Sequence, residues 1–177
     1  KIDCLINTKM GNLPFNGKSF KIKNLRKSVE ESLKRLNCDC INILFLHNPR
    51  KDVANYDEIF ELISQLKLSG KIRYFGLSNF RAWRHSEVVW LCKELGMDKP
   101  VVSQPYYNAL NRMPEVEVLP VCAHHGLGVV PYSPIARGVL TGKYKSGRKP
   151  LRGSRAARND KRIMQTEYRQ ESFTISE

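Results

Sequence analysis

The sequence has no CxxC motif and no Cys/His pair at the spacing of metal ligands, so a zinc site is not expected. Its five cysteines (Cys4, Cys38, Cys40, Cys92 and Cys122) are odd in number, and Cys38 and Cys40 stand too close together to staple the chain. Reduced thiols in a cytoplasmic protein are the expectation. No run approaches the roughly 18 apolar residues of a membrane helix, so no membrane partner is expected. Lys1-Ile2-Asp3-Cys4 lacks the charged start and apolar core of a signal peptide. These first residues already read as strand, so the start is expected to be a cut end. Ser172 to Glu177 likewise reads as a helix interrupted early.

Acidic residues are scarce, 17 against 30 lysines and arginines, which leaves a net charge of +13. Such an excess raises the question of nucleic acid. Its placement answers against it. Lys143 to Arg162 holds nine basic residues and one acid, Asp160, and so supplies +8 of the total. Base-stacking modules interleave aromatics with their charge, and this segment has only Tyr144. A charge run of this kind is most often a solvated loop; the functional reading is a basic loop, 143–162, covering an anionic cofactor.

What is present is enough apolar content, 41% over 177 residues, for the core of one domain. Five short apolar runs read as strands: Cys4 to Thr8, Ile41 to Leu46, Ile72 to Leu77, Val101 to Ser103, and one entering Val129-Val130. Residues 12–20 read as loop, and Pro49 closes the second run. Between the runs lie helical stripes. Ile22, Leu25, Val29, Leu33 and Leu36 recur at three- and four-residue steps, as do Tyr56, Ile59, Phe60, Ile63 and Leu66. Trp83 to Leu95 and Pro114 to His125 give a third and a fourth helix, with Pro120 expected in the early turns of the latter or kinking it. Strands separated by helices must run parallel.

The polar residues fall in phase with this pattern. Lys9, His47, Ser78-Asn79, Gln104 and Tyr132-Ser133 each follow a strand. In a parallel barrel the C-terminal strand ends form one rim, and active sites sit there. Any one of these residues alone would more often be a surface or hydrogen-bonded core group; five in phase point to a site. The last strand runs into Val129 to Tyr144, VVPYSPIARGVLTGKY, a turn with a hydroxyl, two glycines and two cations, suited to a phosphate-bearing ligand. His85, His124 and His125 lie on helices away from the rim and are assigned no role.

The same residues resemble a known family. YSPIARGVLTGKY resembles the segment after the seventh barrel strand of aldo-keto reductases, and Thr8-Lys9-Met10-Gly11 the strand end that holds their catalytic lysine. Ser32 to Leu36 followed by Ile41 to His47 resembles the SLKRL…LxxxH segment ending in the catalytic histidine. Gly70 to Phe80 is close to GKIRxxGxSNF, and Gln104 to Arg112 matches the QxxYNxLNR of bacterial and fungal branches and of potassium-channel β subunits. The resemblance implies an α/β fold, a parallel (β/α)8 TIM barrel with about five of eight strand–helix units present in a single partial domain, 1–177. It implies reduction of aldehydes or ketones to alcohols by hydride transfer from NADPH, with a small-molecule carbonyl substrate. Lys9 and His47 would be catalytic. Ser78, Asn79 and Gln104 would hold the nicotinamide carboxamide, and Tyr132 would stack on its ring. Ser133, Ile135, Arg137 and Lys143 would hold the pyrophosphate, and Arg155 would come from a covering loop. The family's aspartate and proton-donating tyrosine match no residue here, so the 177 residues alone are expected to be inert. A non-catalytic NADPH-binding relative, a redox sensor like the channel β subunits, is the alternative.

Overall fold

A computed structural model describes residues 5–11, 22–48 and 56–176. Cys4, the loop expected at 12–20 and Pro49 lie outside the described residues. The chain alternates β1 (Asn7–Met10), α1 (Ile22–Leu36), β2 (Ile41–Leu46), α2 (Tyr56–Leu68), β3 (Ile72–Ser78), α3 (Ala82–Glu94), β4 (Val102–Gln104), α4 (Val118–His125) and β5 (Gly128–Val129). Two short helices follow, α5 (Lys161–Thr166) and α6 (Gln170–Ser176). The five strands form one sheet in the order β1-β2-β3-β4-β5, every pair parallel. Sequential parallel order with a helix at each crossover is the arrangement of consecutive units in a (β/α)8 barrel.

The described residues gather into two compact units. The first runs to Pro105 and includes Glu117–Val130; it contains the sheet and α1 to α4. Its core forms because each helix turns one apolar stripe inward. Leu25, Val29 and Leu33 of α1 and Ile59, Phe60, Ile63 and Leu66 of α2 are buried with Ile41, Leu44 and Leu46 of β2 and Ile72, Phe75 and Leu77 of β3. Burying each of these large side chains stabilises the unit by about 1.5–3 kcal/mol relative to exposure. The second unit comprises Tyr106–Val116 and Pro131–Glu177. Its smaller core joins Ala136, Val139, Tyr144, Ala156, Ile163 and Phe173.

Three local expectations are corrected. The strands run further than expected, so Lys9 is the third residue of β1, Ser78 the last of β3 and Gln104 the last of β4, instead of following them. The helix expected over Pro114 to His125 is two pieces. A 3-10 turn spans Met113–Glu115, and α4 begins after Glu117. Pro120 is therefore the third residue of α4, where a missing N–H removes no intrahelical bond. Val121 N–H makes the first such bond, to Glu117 O at 2.9 Å. The basic stretch is not wholly loop: α5 takes up Lys161 and Arg162, and the Asp160 side chain caps it by accepting from the N–H groups of Arg162 and Ile163.

Candidate functional site

In the first unit, parallel pairing brings the strand ends to one rim. Lys9 lies opposite Phe45, and His47 N–H donates to Met10 O at 3.0 Å, so His47 leaves β2 directly beside the end of β1. Both side chains are partly buried. Burial pushes the Lys9 ammonium pKa below its ordinary 10.5, because the charged form loses hydration.

The next strands are tied to this pair by hydrogen bonds. Asn79 adopts φ 62°, a left-handed conformation that asparagine tolerates better than most residues. That turn sends its Nδ2 to His47 O at 3.0 Å and to Ser78 Oγ at 3.3 Å. Ser78 is fully buried, and its Oγ donates to Gln104 O at 3.1 Å. Lys9, His47, Ser78, Asn79 and Gln104 are thus gathered on four adjacent strand ends. Beside His47 a small cleft of about 10 Å³ is walled mainly by Met10, Leu25, Leu46, Tyr56, Ile59 and Phe80.

In the second unit the turn after β5 is built around Tyr132. Its ring stacks on Tyr106, with centroids 5.3 Å apart and planes at 28°. Asn108, buried, organises the backbone on both sides. Its Oδ1 accepts from the N–H groups of Leu110 and Asn111, and its Nδ2 donates to Ser133 O at 3.0 Å. Ser133, Ala136 and Arg137 all have positive φ, at 53°, 46° and 53°. Non-glycine residues held there cost of order 1–3 kcal/mol each and cluster at ligand-binding turns. Gly138 follows at φ 99°; a Cβ there would meet Lys143 Cε and Nζ at 2.7 Å. The Lys143 ammonium therefore lies against the turn, where glycine leaves it room. Ile135, Lys143 and Arg155 are exposed.

Arg137 is engaged. Its Nη1 donates to Glu167 Oε1 and, at 3.3 Å, to Thr166 Oγ1, and its guanidinium carbon lies 5.6 Å from the Tyr106 ring centroid. The Tyr106 hydroxyl also donates to Glu167 Oε1. Burial raises the Tyr106 pKa, and the Glu167 carboxylate adds to the rise by accepting its proton in a hydrogen bond. Sequence reasoning missed Glu167 and the supporting roles of Tyr106 and Asn108. The Asn108-Ala-Leu-Asn111 spacing carried a turn signal for the last of these; nothing local marked Glu167.

His85 is buried away from these groups. One ring nitrogen meets Arg81 O at 3.0 Å and the other Ser103 Oγ at 2.9 Å, tying α3 to β4. Among the described residues, no cluster of His, Cys, Asp and Glu could hold a metal ion, and no helix is long and apolar enough to cross a membrane.

The family model for the aldo/keto reductase family matches residues 2–176. Aflatoxin B1 aldehyde reductase member 2 of Mus musculus is 39% identical over 153 residues, which cover 84% of this chain and 41% of that protein. Aldo-keto reductase family 7 member A3 of Homo sapiens is 38% identical over 153 residues, 84% of this chain and 46% of its own. A probable voltage-gated potassium channel subunit beta of Arabidopsis thaliana is 33% identical over 164 residues, 91% of this chain and 50% of its own. The chain spans half or less of the length of these relatives.

Proposed function

The chain belongs to the aldo/keto reductase family, and from that premise we propose that it is part of an NADPH-dependent oxidoreductase that reduces small aldehydes or ketones to alcohols. The observation that carries this reading is the juxtaposition of Lys9 and His47 on adjacent strand ends, with the lysine's pKa lowered by burial. A partly dehydrated ammonium stabilises a neighbouring oxyanion more strongly than a solvated one, and so acidifies a hydroxyl set beside it. His47 can direct a ring N–H at a carbonyl oxygen and fix its orientation.

The turn after β5 fits a dinucleotide by its own geometry: an ammonium lies against a glycine-opened backbone, and Tyr132 is backed by Tyr106. Bound NADPH would supply the hydride. In this reading Ser78, Asn79 and Gln104 hold the nicotinamide carboxamide and Tyr132 presents its ring to the nicotinamide. Ser133, Ile135, Arg137 and Lys143 hold the pyrophosphate, and Arg155 reaches it from the basic segment. Both compact units belong to one barrel domain. The free thiols of Cys38, Cys40, Cys92 and Cys122 favour a reducing, cytoplasmic setting.

The 177 residues contain no tyrosine at a family proton-donor position, so by themselves they bind cofactor without turnover. The test has two arms. NADPH fluorescence titration of residues 1–177 is expected to show saturable binding, and an aldehyde-reduction assay of the same protein no activity. Turnover by residues 1–177 would refute the inert-fragment proposal, and absence of NADPH binding would refute the cofactor proposal. Similarity to the channel β subunit supports a second reading, a redox sensor that binds NADPH without useful turnover. Lys9→Met in the intact protein separates the two: reductase activity falls steeply if the protein is an enzyme, and there is none to lose if it is a sensor.

A further inference from the structure

We infer that Glu167 is a resident anion in the pyrophosphate seat: its carboxylate occupies Arg137 in the ligand-free chain and must release it before a phosphate can bind there. The inference rests on the proposed dinucleotide role of residues 132–143. It deepens that role by naming what guards the site.

Charge makes Glu167 conspicuous. The second unit carries 12 basic residues against 5 acidic ones, counted over residues 106–116 and 131–177. Glu115 is held by Arg112 through two hydrogen bonds, and Asp160 caps α5. Glu167 alone of these three is buried, its side chain 3% exposed, and it faces Arg137, itself only 15% exposed. A buried arginine with a buried carboxylate against it offers little field to an incoming anion.

The carboxylate has another partner to fall back on. Tyr106 OH donates to Oε1, and Thr166 Oγ1 lies against Oε2 while also meeting Arg162 O. If Arg137 turns away, the Tyr106 hydroxyl still donates to the carboxylate, so release does not leave it without a hydrogen bond. Arg137, for its part, gives Glu167 one nitrogen of a fork that a phosphate can engage with two. A diphosphate, which brings two charges and can fill both sides of the fork, therefore exchanges with the carboxylate more favourably than chloride does. The resident carboxylate lowers the affinity for every anion by the same factor, and the choice among anions is left to the Arg137 fork.

The prediction has a sign that a merely structural role would not give. Glu167→Gln keeps an acceptor for Tyr106 and removes the competing charge. Isothermal titration of residues 1–177 with NADPH and, separately, with inorganic pyrophosphate is expected to show binding tightened about tenfold or more for each. Adding Arg137→Met to Glu167→Gln is expected to abolish the gain. Where Glu167→Gln fails to fold, Glu167→Asp, which withdraws the charge by one methylene, is expected to tighten pyrophosphate binding by a smaller factor. Unchanged or weakened pyrophosphate binding in a natively folded variant overturns the inference, whatever NADPH does. Tightened pyrophosphate binding with no NADPH binding by any variant upholds the resident anion and sinks the cofactor reading instead.

Discussion

Replacing Gly76 by alanine places a methyl group where the sheet has no room for one. Gly76 lies within β3, paired with Phe45 of β2 on one side and Val102 of β4 on the other. A Cβ there would stand 2.7 Å from Val102 Cγ1, 2.8 Å from Phe45 Cε1 and 2.8 Å from Val102 O. The two side chains can give by turning, but the carbonyl is backbone of β4 and moves only with its strand. Overpacking of this kind costs about 1–3 kcal/mol and more where backbone must shift, so about 3 kcal/mol is expected. For a chain of this size that is a fall in Tm of roughly 6–12 °C. Gly70→Ala is the matched control: Gly70 sits at φ 69° with nothing within 4 Å, so only conformational strain of about 1 kcal/mol applies. Urea denaturation followed by circular dichroism measures both. Since β3 ends in Ser78 and leads to Asn79, the Gly76 variant is also expected to weaken NADPH binding. A loss of stability for Gly76→Ala no greater than for Gly70→Ala would refute the close-approach reasoning.

Two further outcomes follow from buried titratable groups. Burial lowers the His85 pKa from its ordinary 6.5, against the Arg81 carbonyl, which favours the protonated ring. The unfolded chain therefore binds this proton more readily, so the contribution of neutral His85 is complete above pH 6.5 and is lost as pH falls from there toward the lowered folded value. Urea midpoints between pH 7.5 and 5 should fall less steeply in His85→Gln than in the parent; equal slopes would dismiss His85 as the cause. Burial pushes the Cys92 thiol up to about 12, and it raises Cys122 as well. An aromatic disulfide reagent should label Cys38 and Cys40 in the native chain and reach Cys92 and Cys122 only on unfolding, as read by peptide mass spectrometry. Rapid native labelling of Cys92 would contradict its burial.

The sheet and its helices were legible because each covering helix turns one apolar stripe to the sheet, and three- and four-residue steps report that stripe directly. The periodicity failed at Met113 to Glu117. The helix expected from Pro114 took in Val116, which is apolar yet 68% exposed and faces no core. The basic segment misled in another way. Its charges are mostly exposed, as expected of a solvated loop, but Tyr144 and Ala156 are buried in the second core and pin it down. Single apolar residues in a charged run leave no pattern to read. Glu167 was invisible for a related reason: its partners Arg137 and Tyr106 lie 30 and 61 residues away, and only tertiary packing brings them together. The rim residues were readable because strand ends mark their own positions in sequence.

The sequential strand order has a bearing on how the chain is made. Paired residues in neighbouring strands are 26 to 36 positions apart, from Gly76 with Val102 to Thr8 with Leu44. No strand has to slip between two that are already joined. A ribosome delivers about 5–20 residues per second, so each new strand emerges a few seconds after the one it pairs with. Helices form in about a microsecond or less. The growing sheet always offers one vacant edge to the strand next in line, and translation can add strands in the order in which the finished sheet keeps them.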